Sequence, residues 1–314
     1  MDVTSNEIFP TSKIGDVTSS VAADEWLIED LWLWNAAGII GGQPKVCKSW
    51  LGLDMAISVA SQTPCLGRFA VAKPGPTLVF MAEDSAHQVR KRVAGICKSR
   101  GLDIAGLNLT LITSPFLRLD DEGDRDRLLR TVDSIRPRLL LLDPLVRLHR
   151  LDENNSRDIA TLLGFLRGLQ RSHDCAVVLT HHASKRANAR PGQGLRGSSD
   201  LHAFGDSNLY LSRSGDALEL SAEHRAAAQV GPLALQLNGD ADALALELVD
   251  ASTVQKQPSI EEKILGLLSQ SEKAISRPSL RRTLKVNNQR FGQVISGMLK
   301  NGAIIANTDG FSLV

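Results

Sequence analysis

No apolar run in this 314-residue chain approaches the roughly 18–20 residues that a membrane-spanning helix requires, so a helical membrane protein is not expected. The opening segment, 1–23, is polar and acidic and has no apolar centre. It is therefore expected to be a flexible lead-in and not a signal peptide. Cysteine is scarce. The four residues, at 47, 65, 97 and 175, show neither paired nor metal-ligand spacing, which argues against a disulfide scaffold and for a reducing, cytoplasmic setting. Cys65, Cys97 and Cys175 read as small buried hydrophobes. Internal repeats and low-complexity tracts are also missing. What is present is a globular composition, 43 % hydrophobic and 23 % charged, long enough for one large domain and a small one. Charge is uneven. From Pro258 onward eight Lys and Arg stand against four Asp and Glu, a surplus of +4 in a chain whose net charge is +1. Such a basic tail suits a nucleic-acid contact, although small basic domains also occur without one.

The densest signal is 38–50, Gly-Ile-Ile-Gly-Gly-Gln-Pro-Lys-Val-Cys-Lys-Ser-Trp. Gly42, Gln43, Pro44, Lys45, Val46, Cys47, Lys48 and Ser49 fill the pattern G-x-x-x-x-G-K-[ST], with Cys47 where the second Gly is expected. In that pattern backbone N–H groups curl round a β-phosphate, Lys48 reaches the β/γ-phosphates and the Ser49 hydroxyl ligates Mg²⁺. The apolar run 36–40 precedes it as a strand. Leu51, Leu53, Met55, Ala56, Val59 and Ala60 follow at helical spacing, so the phosphates of ATP would sit at a helix N-terminus beside Trp50. Glycine is favoured at position 47 because the backbone there approaches phosphate closely and takes positive φ. Cysteine is small enough to keep the loop, with weaker binding or slower hydrolysis expected.

The rest of the body alternates strand and helix. Strands are expected at 77–82, 107–113, 138–142 and 176–180, and helices at 85–99, 124–135 and 158–171. Continuous apolar strands in that rhythm argue for an α/β fold, a parallel sheet covered on both faces. From about 208 the pattern changes to short alternating strands at 208–212, 217–222, 233–237 and 243–248, read as antiparallel edge strands of the same sheet. A core domain over 24–250, a linker over 251–258 and a small domain over 259–314 follow. Helices at 260–268, 277–284 and 288–300 and a ribbon around Asn307-Thr-Asp-Gly310 make that small domain a winged helix-turn-helix pattern.

In a sheet of this kind ligands gather at the carboxyl ends of strands. Asp143 ends the four-leucine strand and would hold Mg²⁺ through water; alone, it would read as a turn cap. Glu83 ends the strand after the loop's helix, where a carboxylate can polarise an attacking water. Asp84 is expected to cap the following helix, though the two roles could be exchanged. His181-His182 ends the next strand; His182 would sense a γ-phosphate or relay to a neighbouring subunit, and satisfied or exposed histidines, or a metal site, are the alternatives. Trp26 could stack on adenine, though core packing suits most of the four tryptophans.

These residues, Gly42–Ser49, Glu83-Asp84, Asp143-Pro144, 181–185 and 195–199, occur in an order that resembles the RecA-fold ATPases of the plasmid RepA helicase type, relatives of the hexameric DnaB helicases. The resemblance covers about 25–250. It implies a RecA-like core, ATP and Mg²⁺, a homo-oligomeric ring of about six subunits, and action on DNA. It also implies phosphate and Mg²⁺ roles for Lys48 and Ser49, a catalytic Glu83 and a Walker B Asp143. Glu223-His224-Arg225 is similar to the basic pair that serves as a trans arginine finger, with Arg225 kept and Glu223 in place of the family's Lys. In such rings the loop matching 183–200 faces the channel. Here it carries Lys185, Arg186, Arg190 and Arg196 with no interleaved aromatic, which suits backbone contact with single-stranded DNA; a solvated loop is the alternative. Asn288 and Arg290 would stand on the recognition helix of the tail, which would dock duplex DNA or a protein. A replicative helicase of a mobile element leads these readings. A non-unwinding switch, such as a helicase loader or recombination mediator, and a nucleotide-binding transcriptional regulator are the alternatives.

Overall fold

Six strands with few polar residues run side by side and parallel, because helices shield both faces from water. The computed structural model describes residues 11–16, 25–153, 155–182, 199–214, 217–240, 242–250, 260–271, 274–284 and 288–313. The chain forms two compact units, Met1–Thr253 and Val254–Val314. Most of the expected lead-in and the whole of the expected linker lie outside the described residues.

In the first unit the strands are β1 (Trp26–Ile28), β2 (Trp32–Leu33), β3 (Ala37–Gly42), β4 (Thr77–Met81), β5 (Leu109–Leu111), β6 (Leu139–Asp143), β7 (Ala176–His182), β8 (Ser207–Ser214), β9 (Ala217–His224), β10 (Val230–Asn238) and β11 (Ala245–Leu248). The helices are α1 (Lys48–Ser61), α2 (Ala86–Ser99), α3 (Glu122–Ile135), α4 (Ser156–His173) and α5 (Ser199–Phe204). Nine of the strands form one sheet, in the order β11-β10-β9-β8-β3-β7-β6-β4-β5. Strand alternation divides its apolar side chains between two cores. Leu139 and Leu141 of β6 pack with α1 and α2, whereas Leu140 and Leu142 pack with the α3 and α4 residues Leu128, Val132 and Leu162.

Two expectations are corrected. The strand expected at 208–212 is antiparallel on one side alone: β8 runs parallel to β3, with Ile40 opposite Leu209 and Gly42 opposite Leu211, and pairs antiparallel with β9, as β9 does with β10 and β10 with β11. Close pairing of β3 with β8 depends on glycine. A Cβ on Gly38 would lie 1.7 Å from the Ser207 carbonyl oxygen, and one on Gly42 would lie 2.5 Å from that of Leu211. Trp26 does not reach the phosphate loop. It belongs to a short β1–β2 ribbon and meets the His224 ring edge-on, 5.1 Å between centroids, at the opposite end of β3.

The second unit holds α6 (Ile260–Ser269), α7 (Arg277–Leu284) and α8 (Asn288–Lys300), with an antiparallel hairpin of β12 (Ile304–Asn307) and β13 (Gly310–Leu313). Ile264, Leu268, Leu280, Phe291, Ile295, Met298, Ile304 and Phe311 form its core. Among the described residues no helix is long and apolar enough to cross a membrane.

One buried charge holds α1 to its surroundings. The fully buried Asp54 carboxylate accepts from Leu66 N at 2.8 Å and from Cys65 Sγ at 3.2 Å, and pairs with Arg100 just beyond α2. Removing one partner strands the other charge in a desolvated place. Asp54→Ala is therefore expected to lower the unfolding free energy by about 3 kcal/mol in urea titrations. A change below about 0.5 kcal/mol would contradict this account of the pair.

Candidate active site

Gly42 ends β3, and the chain turns through Gln43, Pro44, Lys45, Val46 and Cys47 into α1. Two residues of that turn are left-handed without being glycine: Lys45 at φ 66° and Cys47 at φ 63°. Position 47 thus demands the backbone for which glycine is normally selected. Helices α2, α3 and α4 are capped by the side chains of Ser85, Asp121 and Asn155, whereas α1 has no side-chain cap. The first-turn N–H groups of α1 are the donors that an anion would engage.

Around that helix end lies a cavity of about 290 Å³ whose walls include Lys48, Ser49, Trp50, Glu83, Asp143 and His182. Lys48 Nζ donates to the Gly42 and Gln43 carbonyls at 2.9 and 2.8 Å and lies 3.3 Å from His182 Nδ1. Burial lowers its pKa, and the nearby charges of Asp143, Glu83 and Cys47 oppose that shift. Asp143 is 6 % exposed at the end of β6 and accepts from the hydroxyls of Thr180, on β7, and Ser49, on α1. Burial raises its pKa, while those hydrogen bonds work against the rise. A buried carboxylate beside a serine hydroxyl is a hard-oxygen donor set, the kind that suits Mg²⁺. The residues present therefore fit both the ion and a triphosphate.

The strand ends separate the two histidines. His182 faces the cavity, whereas His181 is buried on the other side, 3.7 Å from Glu153, which also lies 3.8 Å from His149. Glu83 lines the cavity just beyond β4, and its Oε1 accepts from Arg147 Nε at 2.8 Å. Asp84 does not cap α2. Ser85 does, in a reciprocal box with Gln88, because a serine hydroxyl at that extended position reaches the N–H of the third helical residue. Asp84 instead pairs with both terminal guanidinium nitrogens of Arg92, Nη1 and Nη2. Arg92 lies over the Trp50 ring, 5.8 Å from its centroid, and joins the cavity wall. Its place was not foreseen, since a turn of basic residues on a helix ordinarily faces solvent.

Arg225 is elsewhere. It follows β9, which is antiparallel to β8, so it lies at the amino end of the parallel strands and away from the phosphate loop of its own chain. There it donates to the Ala203 carbonyl at 2.7 Å and pairs with Asp206 at 3.2 Å, with 58 % of its side chain exposed. Glu223 turns to His202, at 3.2 Å. Lys185, Arg186, Arg190 and Arg196 lie outside the described residues. Asn288 and Arg290 occupy the first turn of α8.

The AAA_25 family, described as an AAA domain, matches residues 5–188, more than half of the chain, and the chain belongs to that family. The structure is also similar to the crystal structure of the RadB recombinase, with a TM-score of 0.50 and 15 % identity over 69 % of this chain and 92 % of that one. At that identity the likeness shows the fold alone, a RecA-like α/β core; the family match is what supports a P-loop ATPase.

Cys47 places a side chain where the loop would approach a bound phosphate, and it holds a left-handed conformation that costs about 1–2 kcal/mol in a residue with a Cβ. Cys47→Gly is expected to tighten binding of a fluorescent ATP analogue about fivefold, the equivalent of about 1 kcal/mol. An unchanged Kd in that titration would contradict this reading of position 47.

Proposed function

We propose that this AAA-domain chain is a DNA-associated ATPase that works as a homo-oligomer, each phosphate cradle being completed by Arg225 of a neighbouring copy. The observation that carries the reading is the separation of the parts. Lys48, Ser49, Glu83, Asp143 and His182 border one cavity, while Arg225 lies at the far end of the same sheet and is largely exposed. A finger so placed can act only on another copy's nucleotide, and head-to-tail contacts of that kind generate rings or filaments.

In this mechanism the loop N–H groups and Lys48 hold the β- and γ-phosphates of ATP. Ser49 and Asp143 would hold Mg²⁺, which neutralises charge on those oxygens when bound. Glu83 orients the attacking water and takes its proton as the bond to the γ-phosphorus forms and the bridging bond to ADP breaks. His182, in contact with Lys48, is placed to report whether the γ-phosphate is present. The basic stretch 183–196 would meet the backbone of single-stranded DNA, and the second unit, read as a winged helix, would offer Asn288 and Arg290 to a duplex.

A RepA/DnaB-like replicative helicase is the finer form of this reading. A second reading, a slow switch such as a loader or recombination mediator, draws on two observations. Cys47 occupies a glycine conformation, and the Glu83 carboxylate is engaged by Arg147. One solved neighbour is also named a recombinase.

The test is ATP hydrolysis with and without single-stranded DNA, on protein sized by light scattering. Stimulated hydrolysis is expected in an oligomer, and Lys48→Ala or Arg225→Ala should each lower it about 10³-fold. A fully active monomer, or full activity in Arg225→Ala, would contradict the proposal. Strand separation in the same samples distinguishes motor from switch.

A further inference from the structure

Glu83 belongs to two cavities. One is the phosphate cradle; the other, of about 300 Å³, has Phe80, Phe116, Arg118 and Arg147 among its walls. Arg147, which holds Glu83 Oε1, lines only the second. This second cavity is built on two segments that lie side by side. Leu119 N donates to the Leu148 carbonyl at 2.6 Å, Arg118 Nη1 to the Arg147 carbonyl at 2.6 Å and Arg150 N to Asp120 Oδ2 at 3.3 Å. Leu117, Leu119, Leu145 and Leu148 anchor both segments in the core. That anchoring leaves Phe116, which shares the cavity wall with Arg118 and Arg147, 67 % exposed. Among the described residues neither Arg118 nor Arg150 pairs with a carboxylate, and the Arg147–Glu83 pair is itself open to water, with 62 % and 48 % of the two side chains exposed.

An anchored, exposed phenyl ring next to guanidinium groups matches the chemistry of a single nucleic-acid strand. An unpaired base stacks on the ring while its phosphate takes the cations. A duplex would bring phosphates but keep its bases stacked inside. An ion pair this exposed is weak and is readily exchanged for a phosphate that two arginines share. We propose that the Phe116–Arg118–Arg147 cavity docks one nucleotide of single-stranded DNA, and that the docked phosphate draws Arg147 away from Glu83 and releases the carboxylate to the attacking water. The inference rests on the DNA-associated ATPase reading and gives it a means by which strand binding raises hydrolysis. Arg147 is thus a positioning residue, acting through Glu83.

The test uses the full chain, a fluorescein-labelled oligothymidylate for anisotropy, and ATPase assays with and without the same oligonucleotide. Arg147→Ala should raise the DNA-independent kcat about fivefold, with KM for ATP unchanged, and leave little further stimulation. Phe116→Ala removes an exposed ring, so the fold is retained, and should weaken oligothymidylate binding about tenfold. Wild-type values for either variant would overturn the proposal while leaving the ATPase reading in place. Unchanged oligonucleotide affinity in Phe116→Ala would instead give the ring to a protein partner. If the wild-type protein neither binds the oligonucleotide nor responds to it, the broader reading falls as well.

Discussion

One buried carboxylate joins the parts of this site. Asp143 ends β6 and is bonded to Thr180 on the neighbouring strand β7 and to Ser49 in the first turn of α1. The three groups come from positions far apart in sequence, and they meet because β3, β7 and β6 are adjacent in the sheet and parallel. The loop's helix, the Asp143 carboxylate with its hydroxyl donors and the histidine that touches Lys48 are therefore all held to the carboxyl ends of adjacent strands. Desolvation of Asp143 is partly offset by these hydroxyl donors, which also fix the direction of the carboxylate.

The same topology accounts for the separation of Arg225. Because β8 is parallel to β3, the hairpin partner β9 must return to the amino end of the block, and whatever follows β9 emerges there. Gly38 and Gly42 allow the close β3–β8 approach on which this depends. On the proposed reading, the geometry that closes one half of an ATPase site leaves Arg225 exposed at the far end of the sheet, where a neighbouring copy would meet it.

Much of this was legible in the sequence. The phosphate loop is a local pattern of eight residues, and continuous apolar strands ending in Asp143 or His182 mark a parallel sheet with its ligands at one end. Position 47 was also legible, since the loop's backbone requirement is local and the structure gives Cys47 the left-handed φ that the pattern assigns to glycine. Long-range pairings were not. Asp84 next to a helix start reads as a cap, and only the folded chain brings Arg92 within reach and leaves Ser85 the better-placed acceptor. The hold of Arg147 on Glu83 spans 64 residues and leaves no periodic trace in either segment. Strand direction was lost for the same reason: the composition of β8 is that of an edge strand, and its parallel register is set by packing against β3.

The central claim is that a complete site draws on two copies. It is tested most directly by mixing Lys48→Ala with Arg225→Ala in equal amounts, each expected to be inactive alone. If Arg225 acts in trans, hydrolysis should return to about one quarter of the wild-type rate, the fraction of head-to-tail interfaces that pair a sound loop with a sound finger. A mixture as inactive as its components, in particles shown to exchange subunits, would contradict the account.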